Sequence, residues 1–264
     1  MVKRYERIAA HLRHRIRSGQ LPPGEQLPTE DQLAARYAAS LGTVQAAKRL
    51  LEAEGLIEGR AGAGSFVRVP RPLIYRRGER HQWEKDRVQL PAEERAKTGA
   101  VEYDTGLAFS DIDFPATYNP ELASEHLAAV FDIEPGTKML HRHYLSSDKP
   151  SKALVSLIDS WLVWDVIAGN PALLNDDNEP WPGGTQHQLS TVGIELDRII
   201  EEFMARPPTP DEAEQLRIGP GVSVLVLQKT SVDIAGRVVE YSEVVMPGDR
   251  TRMVYTTKLE RWPT

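Results

Sequence analysis

The chain has 264 residues and no cysteine. That absence excludes disulfides, thiolate metal sites and cysteine nucleophiles together. No window approaches the ~18 consecutive apolar residues that a membrane-spanning helix needs. The opening residues, Met1-Val2-Lys3-Arg4-Tyr5-Glu6, lead into an amphipathic pattern and not into an apolar signal core. His126, His141, His143 and His187 lack the spacing of a helical zinc site, and no serine nucleophile motif occurs. His141 and His143 share a face if their strand is regular, a pair that more often fills a surface or core than holds a metal. These gaps predict a cytoplasmic protein with no membrane contact, no metal and no cofactor. What is present, 41% apolar and 27% charged residues, is the composition of an ordinary globular protein long enough for two domains.

The net charge of −6 is unevenly spread. Residues 1–70 hold 11 Lys and Arg against 7 Asp and Glu, net +4; residues 71–264 hold 21 against 31, net −10. Attraction to phosphate acts within a Debye length of ~8–10 Å, so local charge decides it. The first segment is suited to nucleic acid, and the acidic remainder should face away from it.

Tyr5, Ile8, Ala9, Leu12 and Ile16 recur at helical spacing and predict a first helix, ended by Ser18-Gly19. Pro22-Pro23-Gly24 forces a turn. Thr29 caps a second helix, with Gln32 completing a capping box. Ser40 caps a third, whose buried stripe is Val44, Ala47, Leu50 and Leu51. Two short apolar runs between Gly59 and Val67 surround a glycine-rich tip and read as a hairpin. Three helices and a hairpin in this order form a winged helix-turn-helix, whose third helix enters the major groove N-terminus first. DNA contacts are expected from Thr29, Ser40, Leu41, Gly42, Thr43, Gln45, Lys48 and Arg49. Gln45 suits adenine; Thr43, Lys48 and Arg49 suit phosphate, or guanine for Arg49. Arg60, Gly62 and Gly64 can approach the backbone or the minor groove, since glycine lets a main chain come close. The competing reading is a protein-binding module with a solvated basic face.

The ordered elements Tyr5, Ser18-Gly19, Pro22-Pro23-Gly24, Leu27-Pro28-Thr29-Glu30, Leu33-Ala34, Ser40 to Gln45, Leu51 to Ile57 and Gly62 to Val67 are specific in combination. They resemble the winged-helix domain of the GntR family of bacterial transcription regulators. Leu41 and Gln45 stand where that family usually has arginines on DNA. The departure implies a weaker salt-dependent attraction and an operator other than the family's commonest one.

Val69-Pro70-Arg71-Pro72 predicts an extended linker. The expected division is a winged helix over 1–69, a linker over 70–79 and a second domain over 80–264. Residues 76–97 carry a basic run, read either as close to DNA or as a solvated strand and turn. Helices are expected over 119–131, 189–205 and 210–216, hairpins over 138–162 and 222–246, and a last strand over 254–259. Hairpins interleaved with helices give an α+β domain on an antiparallel sheet. Gly136-Thr137, Leu140, Arg142, Pro150, Glu201 to Ala205, Pro208-Thr209, Gly219-Pro220-Gly221-Val222, Gly236 to Glu240 and Gly248-Asp249-Arg250 carry a second likeness. They resemble the UTRA effector-binding domain of the HutC subfamily, which shares the fold of chorismate lyase. His81 to Arg87 with Gly183-Gly184 is similar to regulators of transfer functions on actinomycete plasmids.

The resemblance implies a small-molecule effector bound by Arg142 and Glu240, with Tyr144, Ser156 and Glu201 nearby. Arg142 and Glu240 can instead form an internal ion pair with no ligand. The expected protein is a homodimeric repressor on a pseudo-palindromic double-stranded operator, its DNA affinity set by the effector. A chorismate-lyase-like enzyme with a DNA anchor, and a constitutive repressor whose second domain only dimerises, are the alternatives.

Overall fold

α1 (Arg4–Arg17) buries Ile8, Ala9 and Leu12, the face predicted for it. Gly19, at φ +77°, turns the chain out of the helix where a Cβ would be strained. α2 (Glu30–Tyr37) starts on the Thr29–Gln32 capping box, with both reciprocal bonds formed. The Ser40 hydroxyl accepts from the Thr43 amide and starts α3 (Leu41–Ala53). Leu12, Leu33, Val44, Ala47 and Leu51 close a core with Leu21, Leu27, Ile57 and Val67. β1 (Ile57–Arg60) and β2 (Gly64–Val67) pair antiparallel as the wing. Gln26 fastens the wing by donating from Nε2 to the Ala63 carbonyl at 2.6 Å.

This computed structural model describes residues 3–60, 62–69, 73–149, 153–219 and 221–259. Expectations placed on Ala61, Pro70, Arg71, Pro72, Pro150 and Pro220 lie outside the described residues. After the wing come β3 (Ile74–Arg77), α4 (Arg80–Arg87), α5 (Ala92–Arg95), α6 (Ala100–Thr105), β4 (Ile112–Asp113), β5 (Ala116–Leu122) and α7 (Glu125–Phe131). Then follow β6 (Lys138–Asp148), β7 (Ala153–Val163), α8 (Trp164–Ile167), α9 (Gly184–Ser190) and β8 (Leu196–Arg206). α10 (Pro210–Leu216), β9 (Val224–Asp233), β10 (Val238–Pro247) and β11 (Thr251–Val254) complete the order.

Among the described residues the large sheet has seven strands in the order β4-β6-β7-β10-β9-β8, with β5 also pairing β6. Every pair in it is antiparallel. β3 and β11 pair in parallel as a separate ribbon. Alternation along β6 sends Leu140 to a core with Leu162, Ile167 and Leu189, and Met139 to a second core with Leu127, Phe131 and Tyr241. The result is the expected α+β domain on an antiparallel sheet. No helix among the described residues is long and apolar enough to cross a membrane.

The chain divides into two compact units, 1–72 with 207–223 and 73–206 with 224–264. This differs from the expected division twice. Residues 74–77 are not linker, because their backbone is paired to β11. Residues 207–223 belong with the winged helix: Leu216, Ile218 and Val222 are buried, and Arg68 donates to the Arg217 carbonyl at 2.8 Å. A Cβ on Gly221 would lie 2.1 Å from the Ala53 carbonyl at the end of α3, so only glycine fits there without a shift.

Three element expectations are corrected. The helix expected over 119–131 is two elements, since residues 116–122 pair with β6 and Ser124 caps α7. The helix expected over 189–205 is mostly β8, drawn into the sheet by pairing with β9 from Leu196 to Arg206. The last strand ends at Val254, where its pairing with β3 ends. The basic run at 76–97 begins in β3 and its turn and goes on into α4 and α5, with Arg76 and Arg80 buried and not solvated.

Candidate DNA-reading face and ligand cavity

The capped N-terminus of α3 presents Leu41, 46% exposed, together with exposed Gly42, Gln45 and Arg49. Ser40 and Thr43 share a hydroxyl contact of 2.9 Å besides the cap. Glu30, the first residue of α2, accepts from Gln45 Nε2 at 2.8 Å and from Lys48 Nζ at 2.7 Å. Those two bonds hold the Glu30 carboxyl below its ordinary range. Thr29 and Glu30 are thereby set against the reading helix, and two of its expected DNA-contacting side chains are already in use. Sequence reasoning passed over Glu30, although it sits in the Leu-Pro-Thr-Glu motif. In the wing, Arg60 lies 4.2 Å from the Phe66 ring centroid and donates to Glu58. Gly62 and Gly64 take φ of +72° and +98° at its tip.

The second unit encloses a cavity of about 630 Å³, within the range of small-molecule sites. At its floor Glu240 on β10 accepts from Arg142 at 2.9 Å, Lys229 at 2.8 Å, and Ser160 and Ser231 at 3.0 Å each. Burial raises the Glu240 pKa, but the Lys229 and Arg142 charges and these bonds outweigh it and hold the carboxyl at about 2. Arg142 also donates to Gln188 at 2.7 Å and Ser160 at 2.9 Å, and both it and Glu240 are 2% exposed. Beside them Glu179 accepts from the Tyr118 hydroxyl, from Gln188 at 2.9 Å and from Tyr144 at 3.3 Å. Burial pushes the Tyr118 hydroxyl up to about 12.

Of the residues expected at the effector, Tyr144 and Glu240 line the cavity. Arg142 does not; it stands behind the wall, and its ion pair with Glu240 is the internal one weighed above. Ser156 is buried in the sheet opposite Ser146, away from the cavity wall. Glu201 lies on strand β8 and not on a helix, bonded to Arg76 at 2.9 Å with His81 Nε2 also at 2.9 Å. Burial raises its pKa, but those two partners outweigh burial and bring it to about 2. His141 and His143 do share a face, and both meet Asp159 Oδ1, at 2.7 and 2.9 Å. Among the wall residues that sequence reasoning missed are Arg80 and Glu84 of α4, whose i,i+4 spacing was the available signal.

A helix-turn-helix with an exposed reading edge, in one chain with a sheet domain that encloses a small-molecule-sized cavity, is the build of a DNA-binding transcription regulator. Residues 4–67 match the bacterial regulatory proteins of the gntR family, and residues 116–252, half of the chain, match the UTRA domain. The chain belongs to this family: it is a GntR-type regulator with a UTRA domain. An uncharacterised HTH-type transcriptional regulator of Streptomyces coelicolor is 28% identical over 97% of this chain and 93% of its own. The histidine utilization repressor of Pseudomonas aeruginosa is 26% identical over 94% of this chain and 89% of its own. A solved GntR-family transcriptional regulator, 28% identical, superposes over 98% of each chain with a TM-score of 0.64. Residues 68–115 fall between the two family matches.

Proposed function

We propose that the protein is a cytoplasmic, homodimeric repressor whose two α3 helices read the half-sites of a pseudo-palindromic operator. The observation that carries the reading is the exposed, Ser40-capped start of α3, which offers Leu41, Gly42, Thr43, Gln45 and Arg49 to a major groove. Thr29 and Lys48 would add phosphate contacts, and Arg60, Gly62 and Gly64 of the wing would meet the backbone or minor groove. Leu41 suits a thymine methyl, which an arginine would not. A small effector would occupy the cavity against Tyr144 and Glu240, with Arg142 positioning Glu240 from behind. A differential affinity of ~1–3 kcal/mol between two states is enough to switch DNA binding.

The test is a selection of random duplexes on the purified full-length protein at near-physiological salt. A palindromic consensus is expected. No enrichment over random DNA would overturn the reading.

A further inference from the structure

About half of the cavity wall comes from residues 76–115, a segment that neither family match covers. The polar groups on that wall are unequally satisfied. Every cation on it is engaged within the chain: Lys229 by Glu240, Arg80 by Asp104, Arg76 by Glu201, Arg87 and Arg95 by carbonyls, and Lys149 by the Ser110 carbonyl. Arg76 and Arg80 each give a terminal nitrogen to a carboxylate of the chain, and an incoming anion would face Glu84, Glu179 and Glu240. Glu84, its side chain 17% exposed, differs from the buried carboxylates. Its nearest cations are His81 Nδ1 at 3.7 Å and Arg80 Nε at 3.9 Å, both beyond hydrogen-bond distance. Arg80 is only 8% exposed, and its Nε has no hydrogen-bond partner.

In the ion-pair cluster Arg76 pairs with Glu201 and Arg80 with Asp104, which leaves Glu84 as a third carboxylate, with Lys229 adding a positive charge nearby. Burial raises the Glu84 pKa, but Arg80, His81 and Lys229 outweigh it and hold the carboxyl below its ordinary range. A part-exposed carboxylate with no donor of the described residues within hydrogen-bond distance is open to a donor from a ligand. Val101, Phe109, Ile112, Phe114, Ile158 and Trp181 give much of the wall an apolar or aromatic surface.

We propose that the effector is a mainly apolar amine whose ammonium group binds Glu84 on α4, and that the 76–115 segment selects it over carboxylates and phosphates. This rests on the reading of the cavity as the effector site.

The test uses the full-length protein and three probes that share one body: 4-phenylbutylamine, 4-phenylbutan-1-ol and 4-phenylbutyrate. Binding is followed by calorimetry and by the fluorescence of Trp83 and Trp181, which line the cavity. The amine is expected to bind at least tenfold more tightly than the acid, with the alcohol between them. Glu84→Gln should cost the amine at least tenfold and leave the alcohol within a few-fold. Val101→Phe, which narrows the chamber without changing charge, should weaken all three, and unchanged circular dichroism checks that both variants fold. An acid that binds as well as the amine, or an amine indifferent to Glu84→Gln, overturns the ligand class and leaves the cavity reading standing. If none of the probes binds, the cavity reading falls with it.

Discussion

Glu240 and Arg142 support an unequal prediction. Glu240 serves two cations, Arg142 and Lys229, one on each oxygen. Glu240→Gln therefore strands both charges in a buried site, where breaking a pair costs ~3–5 kcal/mol. Arg142 keeps only Gln188, Ser160 and a longer contact to Thr185 at 3.4 Å. Arg142→Met is milder, about 2 kcal/mol, because Glu240 retains Lys229, Ser160 and Ser231. The double variant should lose less than the sum, since the two share one interaction. Urea unfolding followed by tryptophan emission is the assay: the four tryptophans among the described residues, at 83, 161, 164 and 181, all fall in the second unit. With a slope of ~2 kcal/mol per molar, Glu240→Gln should lower the midpoint by about 2 M. The pH dependence has a definite sign. Glu240 is held at about 2, below the ordinary 4.5, so its contribution is full above pH 4.5 and is lost as pH falls from 4.5 toward 2. That contribution is about 3 kcal/mol, and Glu240→Gln should flatten the acid limb by that amount. A loss under ~1 kcal/mol, or Arg142→Met proving the worse substitution, would refute the reasoning.

Leu41→Arg adds a cation to the reading edge, and Glu30→Gln releases Lys48 from its 2.7 Å ion pair. Each should steepen the dependence of operator affinity on salt by ~0.9 in log–log slope, measured by anisotropy between 50 and 200 mM salt; parallel lines for wild type and variant would count against the assignment. Gly221→Ala forces a Cβ onto the Ala53 carbonyl, so the winged-helix unit should lose ~1–3 kcal/mol and bind operator more weakly. The tryptophan-reported transition of the second unit should stay in place, and a variant with full operator affinity would show that the close approach is not needed.

The winged helix was legible because its signals are local. Thr29 with Gln32, Ser40 with Thr43 and the glycines of the wing each fix backbone within a few residues, and each acts as read. β8 was misread because Glu201, Glu202, Met204 and Ala205 favour helix by themselves. Only their partners on β9, such as Lys229 opposite Glu201, impose the strand. The arginines of 76–97 looked like surface charge because their partners are remote: Arg76 meets Glu201 and Arg80 meets Asp104. A lone sequence shows a cation but not its distant carboxylate. The family likeness pointed to Tyr144 and Glu240, yet half of the cavity wall lies in residues 76–115, outside the matched UTRA domain.

The membership of residues 207–223 in the first unit has a consequence for heredity. The polypeptide passes between the two units at three places, near residues 72, 206 and 223. A single recombination event in the gene, at the proline-rich stretch that looks like the natural seam, would therefore deliver a reading head without its own α10. It would also leave the foreign sensor carrying a hairpin tip shaped for a different helix end. Exchange of sensors among such regulators needs the 207–223 segment to travel with the head, or to be refitted around the Ala53 carbonyl afterwards.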